Sequence, residues 1–332
     1  MNLFLVTSPL QYVCALEAKE YFSCKESILL LVNQKSKHGL EQQNKLVKKE
    51  DWAAVIEIER SNRSFSVPKA IKKIKELMPK GAYLERFFYA EYNAWWTKLL
   101  SRNLLIKKEV YFDDGTLTLS EYNKLILPKT TFHRPRLIQD FIIRLHGLKP
   151  VGHLPQPRSL EIFTLFNLER AHVPIHKNNL DRLKRSYGHP ALFDTSAALG
   201  FIGQGAVGDK NQKSVREYLE ELETLAKLSN SKIIYFPHRT ERNEVKEALM
   251  NLDYITYHRG EYPLEIELID KNIKLSALIG TFSTVMFTCR LLYPDMPIYT
   301  LSDTHPDKIF QTELRKQLKK INVKNFTHYA SS

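Results

Sequence analysis

Val110-Tyr111-Phe112-Asp113-Asp114-Gly115 is an apolar run of strand-forming residues ending in two carboxylates, then a glycine and Thr116. Such a strand carries its last side chains to the carboxyl edge of a sheet, where open α/β folds bind ligands. Two adjacent acids cannot share one environment. One can face a hydrogen-bond donor while the other faces a cleft, where it can act as a base near neutral pH. Gly115 lets the backbone turn away at once. The alternative is an ordinary strand-to-helix turn capped by Asp114 or Thr116.

Upstream of that stretch, Leu3 to Val6 reads as a buried strand and Thr7-Ser8-Pro9 as a turn. Ser8 is placed to cap a helix running to about Phe22, with Pro9 at its first position. Strands are expected at Ser27 to Asn33 and Ala53 to Glu59, and a basic-faced helix at Pro68 to Met78. The aromatic stretch from Tyr83 to Leu105, with Trp95 and Trp96, fits a helical period packed on a sheet. Residues 128–190 carry seven prolines and many basic residues, with a helix expected within Phe132 to Leu148 and a strand at Leu160 to Phe166. His172 to Pro190 reads as a linker, a short helix and a crossover.

Past that linker the alternation restarts. Strands are expected at Ala197 to Ile202, Ile233 to Phe236, Tyr254 to Tyr257, Leu275 to Ile279 and Pro297 to Leu301. Helices are expected at Ser214 to Leu228, Glu241 to Leu252, from Pro263, and at Val285 to Leu292. Alternation twice over implies two doubly wound α/β domains with parallel sheets, 1–185 and 186–332, facing each other across a cleft.

The 332 residues are enough for two ordinary domains, and 43% hydrophobic content suits a packed globular chain. The formal charge of +12 points to acidic partners: nucleic acid, an anionic membrane face or negatively charged small molecules. Cys14, Cys24 and Cys289 form no CxxC pair and no disulfide framework, which fits a reducing cytoplasm. The N-terminus has neither a basic leader nor a long apolar run, and nothing approaches the ~18 apolar residues of a membrane span. Membrane contact is expected only at the periphery.

Four polar clusters fall at expected strand ends: Asp113-Asp114-Gly115, Gly203-Gln204-Gly205, Pro237-His238-Arg239 and Ser283-Thr284. A histidine after an apolar strand, as at His238, can hold or protonate a phosphate leaving group; a helix-capping histidine is the plainer reading. Ser283 and Thr284 open a helix and can hold phosphate oxygens, or serve only as its cap. Glu265 can hydrogen-bond a ribose diol, with Glu267 as the fallback, or stand as a solvated first-turn acid. The Gly203–Gly208 stretch is no dinucleotide fingerprint. There is no P-loop, no GxSxG elbow around Ser8, and no His/Cys cluster with ligand spacing, so no obligate metal or cofactor is expected.

In their order these motifs resemble the bacterial sialyltransferases of the lipooligosaccharide and capsule type, polysialyltransferases included. The shared elements are Asp113-Asp114-Gly115, Pro237-His238-Arg239-Thr240-Glu241 and Phe282-Ser283-Thr284. Val6-Thr7-Ser8-Pro9-Leu10-Gln11, Phe201-Ile202-Gly203-Gln204 and Pro263-Leu264-Glu265 also look like that group. The family usually has His-Pro where this chain has His238-Arg239. The resemblance implies a GT-B fold and an inverting transfer from a CMP-linked sialic or related nonulosonic acid to a hydroxyl of a surface glycan. It implies Asp114 as base, with Asp113 orienting it or touching the acceptor, and His238 at the departing phosphate. Ser283 and Thr284 would hold that phosphate and Glu265 the ribose, with Gly203, Gln204, Pro237 and Phe282 beside the donor and Ser8, Pro9, Gln11 and Gly115 on the acceptor side. The partners implied are a CMP-sugar, an acidic glycan or glycolipid acceptor, and an anionic inner-membrane surface.

A UDP-sugar transferase with the same fold is the first rival. A nucleic-acid-binding protein is the second. Against the latter, the lysines scatter over helices and no nucleic-acid motif appears.

Overall fold

The computed structural model describes residues 1–188, 191–210, 212–301 and 307–326. The chain divides into two compact units, Met1–Leu183 and Lys184–Ser332.

In the first unit the elements run β1 (Asn2–Val6), α1 (Pro9–Tyr21), β2 (Ser27–Val32), α2 (Lys37–Leu46), β3 (Ala54–Ile58), α3 (Arg63–Leu77), β4 (Leu84–Tyr89) and α4 (Trp95–Asn103). They continue with β5 (Ile106–Phe112), α5 (Leu117–Glu121), β6 (Phe132–His133), α6 (Leu137–Leu145), β7 (His153–Leu154), β8 (Leu160–Thr164), β9 (Ile175–Lys177) and α7 (Asp181–Tyr187), which crosses the boundary. Seven strands form one sheet in the order β3-β2-β1-β4-β5-β8-β9, every pair parallel. The strand order reverses between β1 and β4, the kind of switch point where α/β sheets bind ligands. Period-two alternation sorts the side chains. Leu3, Leu5, Ile28 and Leu30 pack with Val67, Ile71 and Trp96 on one face, and Phe4, Val6, Leu29 and Leu31 with Tyr12, Ala15 and Ala18 on the other.

One sequence expectation is corrected here. Tyr83 to Leu105 is not a single helix: β4 occupies its first third and pairs with both β1 and β5, and α4 begins only at Trp95. Phe87, Phe88 and Tyr89 are wholly buried in the middle of the sheet. A strand covered on both faces is apolar throughout, so its periodicity does not distinguish it from a buried helix. Burying each aromatic contributes ~1.5–3 kcal/mol, which fixes this run as a central strand. Helix α3 also starts at Arg63 rather than Pro68, with Pro68 in its second turn at the cost of one ladder hydrogen bond. The segment expected as linker from His172 contains strand β9.

In the second unit the elements are β10 (Leu199–Ile202), α8 (Val215–Ser229), β11 (Ile233–Phe236), α9 (Asn243–Met250), β12 (Ile255–Tyr257), α10 (Leu264–Asp270), β13 (Ala277–Gly280), α11 (Thr284–Leu292), β14 (Ile298–Thr300), α12 (Lys308–Lys320) and β15 (Lys324–Asn325). Their sheet runs β12-β11-β10-β13-β14-β15, again all parallel. The order reverses between β10 and β13, so the chain after β11, β10 and β13 emerges side by side at one carboxyl edge. Helix α8 opens with a full capping box, Ser214 with Glu217. The two doubly wound parallel sheets expected from the alternation are present.

Candidate active site

In the first unit the site is built at the ends of β1, β4 and β5. Ser8 caps α1 by accepting the Gln11 N–H at 3.3 Å, and Pro9 takes the first helical position. That turn delivers Gln11 across the switch point. Gln11 is 1% exposed; its Oε1 accepts the Thr7 N–H and its Nε2 donates to Asp114 Oδ1, both at 2.7 Å. Gln11 therefore aims the Asp114 carboxylate rather than offering itself to a ligand. The Asp114 N–H donates to Thr118 Oγ1 at 3.0 Å, and Gly115 turns the chain with φ +66°, a conformation that favours glycine.

The two aspartates part as their adjacency requires. Asp113 is fully buried and accepts from Thr164 Oγ1 and the Leu165 N–H, both at 2.6 Å, which ties β5 to the end of β8. Burial pushes its pKa up to about 7 against the lowering effect of those bonds. Asp113 is wholly enclosed, while Asp114 is only half-buried. Around them Thr7 Oγ1 donates to Glu91 at 2.7 Å, and Trp96 Nε1 donates to the other Glu91 oxygen at 2.8 Å. Buried Glu121 accepts the Tyr92 and Asn93 N–H groups and the Tyr111 hydroxyl, which fixes the loop after β4.

In the second unit three clusters meet at the adjacent ends of β11, β10 and β13. The His238 turn is held from below by Glu241, whose half-buried carboxylate accepts the hydroxyls of Tyr235 and Tyr257 and whose N–H donates to the His238 carbonyl at 2.9 Å. His238 Nδ1 lies 2.8 Å from Thr240 Oγ1 and accepts the Thr240 N–H at 3.2 Å. A backbone N–H can only donate, so Nδ1 is the acceptor and the neutral ring carries its proton on Nε2. Loss of surrounding water, then the Arg239 charge, lowers the His238 pKa, although part of the side chain is exposed. The neutral ring with an outward Nε2–H donor is thus the favoured form.

Gly205 makes room for this arrangement. A Cβ there would lie 2.3 Å from Thr240 Oγ1 and 2.4 Å from His238 Nδ1. Gly203 likewise makes room for the Tyr235 hydroxyl. Between them, Gln204 Nε2 is buried with no hydrogen-bond partner, a donor waiting for an acceptor. Arg242, the residue capping α9, donates to the Gly208 carbonyl and joins the glycine turn to the His238 turn. Pro237 is half-buried at the end of β11.

Ser283 caps α11, accepting the Val285 N–H at 3.3 Å, and Thr284 is its first residue. Phe282 lies under Arg315, 5.7 Å from guanidinium carbon to ring centre. Glu265 sits in the first turn of α10, 3% exposed, with its pKa raised by burial. The fallback Glu267 is fully engaged: His258, Glu261 N–H and Tyr262 N–H all reach it at 2.9 Å. It holds the loop before α10, with both carboxylate oxygens already accepting hydrogen bonds. Among the described residues no group of three or more His, Cys, Asp or Glu is placed to hold a metal, and no helix is long and apolar enough to cross a membrane.

Glu91, Glu121 and Glu241 were not singled out as site residues from sequence. Glu241 stood in the quoted Pro237–Glu241 motif, but nothing local signals that its partners are tyrosines on β11 and β12.

No protein-family model matches the chain, and no curated protein matches its sequence. Several solved structures do. UDP-GlcNAc 2-epimerase from Methanocaldococcus jannaschii, in complex with UDP-GlcNAc and UDP, matches at a TM-score of 0.54 and 10% identity, over 98% of this chain and 88% of that one. Os79 from O. sativa, in complex with UDP and deoxynivalenol-3-glucoside, matches at 0.52 and 7%, over 97% and 85%. An alpha/beta-galactoside alpha-2,3-sialyltransferase from the luminous marine bacterium Photobacterium phosphoreum matches at 0.49 and 14%, over 98% of both chains. At these identities the likeness is one of fold, and the fold is GT-B-like: two doubly wound parallel-sheet domains.

Proposed function

We propose that this chain is an inverting glycosyltransferase that moves sialic acid, or a related nonulosonic acid, from its CMP donor to a hydroxyl of a surface glycan. The observation that carries this reading is the His238 arrangement. An imidazole locked at Nδ1, with Nε2–H outward, stands beside the unsatisfied Gln204 donor and shares a sheet edge with the Ser283-capped helix N-terminus. Such a set of neutral and partially positive donors suits a phosphate that gains charge as it leaves.

In the proposed reaction Asp114 takes the proton from the acceptor hydroxyl. The freed oxygen bonds the anomeric carbon, the bond from that carbon to the CMP oxygen breaks, and CMP leaves with the electron pair. His238 Nε2–H, the hydroxyls of Ser283 and Thr284 and the N-terminus of α11 stabilise it. Glu265 would hold the ribose hydroxyls, and Gln204 a further donor oxygen. No metal step is required of these residues. Arg239, where sialyltransferases usually have proline, supports a second reading: a UDP-sugar donor for the same surface-glycan chemistry.

Thermal shift with CMP, UDP, GDP and ADP separates the two. A ligand at 100 times its Kd stabilises by about 2.7 kcal/mol, so CMP should raise Tm most. A larger shift with UDP would replace the CMP reading by the UDP-sugar one.

The working place proposed is the surface of an anionic inner membrane. Helix α6 exposes Leu137 (85%), Ile138 (74%), Phe141 (60%) and Leu145 (71%) on its outer side, beside exposed Arg134, Arg144 and Lys149. An apolar stripe with basic flanks complements an anionic bilayer, each cation adding ~1 kcal/mol near it. Phe141→Asp should abolish co-sedimentation with phosphatidylglycerol vesicles while leaving the fold intact; unchanged co-sedimentation would remove this face from the proposal.

A further inference from the structure

Three arginines from separate elements gather over two adjacent indoles. Arg60 follows β3, Arg63 opens α3, and Arg136 stands at the N-cap of α6. The Arg63 guanidinium lies 4.1 Å from the Trp96 ring centre and that of Arg60 5.8 Å, while Arg136 lies 5.8 Å from the Trp95 ring. Trp95 and Trp96 are buried at the start of α4, just past the end of β4. Among the described residues none of the three guanidiniums makes an ion pair. Glu91, an acid close to Arg63, already accepts from Thr7 Oγ1 and Trp96 Nε1. Loss of water, followed by the Arg60 charge, lowers the Arg63 pKa, so the cluster holds its charge at a cost. A second observation points the same way: the Trp95 Nε1 donor is buried without a partner.

We propose that Arg60, Arg63 and Arg136, with Trp95 beneath, form a subsite for the anionic group of an acidic acceptor sugar. The guanidinium fork matches a sugar carboxylate or a sugar phosphate bidentately, and cation–π contact with the buried indoles holds the guanidiniums in place. This rests on the transferase reading for its role, because the cluster is wired to the proposed base. Arg60 Nη2 donates to the Thr7 carbonyl, the Thr7 N–H to Gln11, and Gln11 to Asp114, each at 2.7 Å. An acceptor anchored by its anion would present a neighbouring hydroxyl toward Asp114.

Direct titration tests the subsite without any need for turnover. The probes are lactose, 3′-sialyllactose and glucose 6-phosphate at one ionic strength; the last two distinguish carboxylate from phosphate. Saturable binding of at least one anionic sugar, and none of lactose, is expected. Arg63→Gln and Arg136→Gln should each weaken it about 10- to 100-fold, the worth of one charged hydrogen-bonded contact, and Arg136→Lys should keep part of it. Lys69→Gln with Lys72→Gln, exposed on α3, should leave it unchanged. The subsite is overturned if neither anionic sugar binds, if lactose binds equally well, or if the folded Arg63 and Arg136 variants bind like the parent. Failure of the transferase reading shows separately, as absent turnover of CMP-sialic acid beside intact binding.

Discussion

Replacing Gly205 by alanine asks whether His238 must stand where it does. The new Cβ would sit 2.4 Å from His238 Nδ1 and 2.3 Å from Thr240 Oγ1, where ordinary contact begins at 3.4 Å. Ring and hydroxyl must therefore retreat by about 1 Å or more. The His238 side chain is partly exposed and can swing outward, so the fold should lose no more than the low end of the ~1–3 kcal/mol typical of overpacking. Gly205 has no positive φ, and alanine returns ~0.4–1 kcal/mol by restricting the unfolded chain. Catalysis is less forgiving: a misplacement of ~1 Å can cost on the order of 10²-fold, about 2.7 kcal/mol of barrier. Gly205→Ala should melt within a few degrees of the parent yet release CMP from CMP-sialic acid about 100-fold more slowly. The imidazole NMR signals should show loss of the fixed Nε2–H tautomer. Turnover within about threefold of the parent, with the ring displaced, would refute the reasoning.

Gln11→Ala removes the 2.7 Å bond that aims Asp114; a charge-assisted bond is worth ~1.5–3 kcal/mol. Steady-state assays should show turnover down about 10- to 100-fold with nucleotide affinity, measured by titration, unchanged. Asp113 gives a pH signature. Its folded pKa of about 7 lies above the ~3.9 of an unfolded chain, so between those values the native state holds more protons than the unfolded one. Stability should fall as pH rises through that window, by on the order of 4 kcal/mol, and denaturant melts of Asp113→Asn should lack this slope.

Much of the scaffold was legible because its signals are local. Ser8-Pro9 marks a helix start by capping chemistry alone, Ile233–Phe236 is a short apolar run bounded by turn residues, and Asp113-Asp114-Gly115 ends a strand where a positive-φ glycine is needed. The failures are equally physical. β4 reads as helical in the sequence because a strand buried on both faces loses its alternation, and it is the centre of the first sheet that this conceals. Pro68 resembles a first-turn proline and so masks the true start of α3 at Arg63, where the Val67, Ile71 and Ile74 face outweighs one missing hydrogen bond. The roles of Glu91, Glu121, Glu241 and Glu267 depend on partners brought together by folding, so no local pattern could assign them. The arginine cluster over Trp95 and Trp96 is of the same kind: Arg60 and Arg63, the two indoles and Arg136 come from three stretches far apart in sequence.

The most direct measurement is CMP release from CMP-sialic acid, in the presence of 3′-sialyllactose, by the parent chain and by Asp114→Ala and His238→Ala. General acid–base help is worth ~10²–10⁴-fold per group. The parent should turn over with a new glycosidic bond formed, and each variant should lose at least about 100-fold while remaining folded and while Asp114→Ala still binds CMP. Release by both variants at the parent rate would contradict the assignment of a carboxylate on one unit and an imidazole on the other to a single transfer.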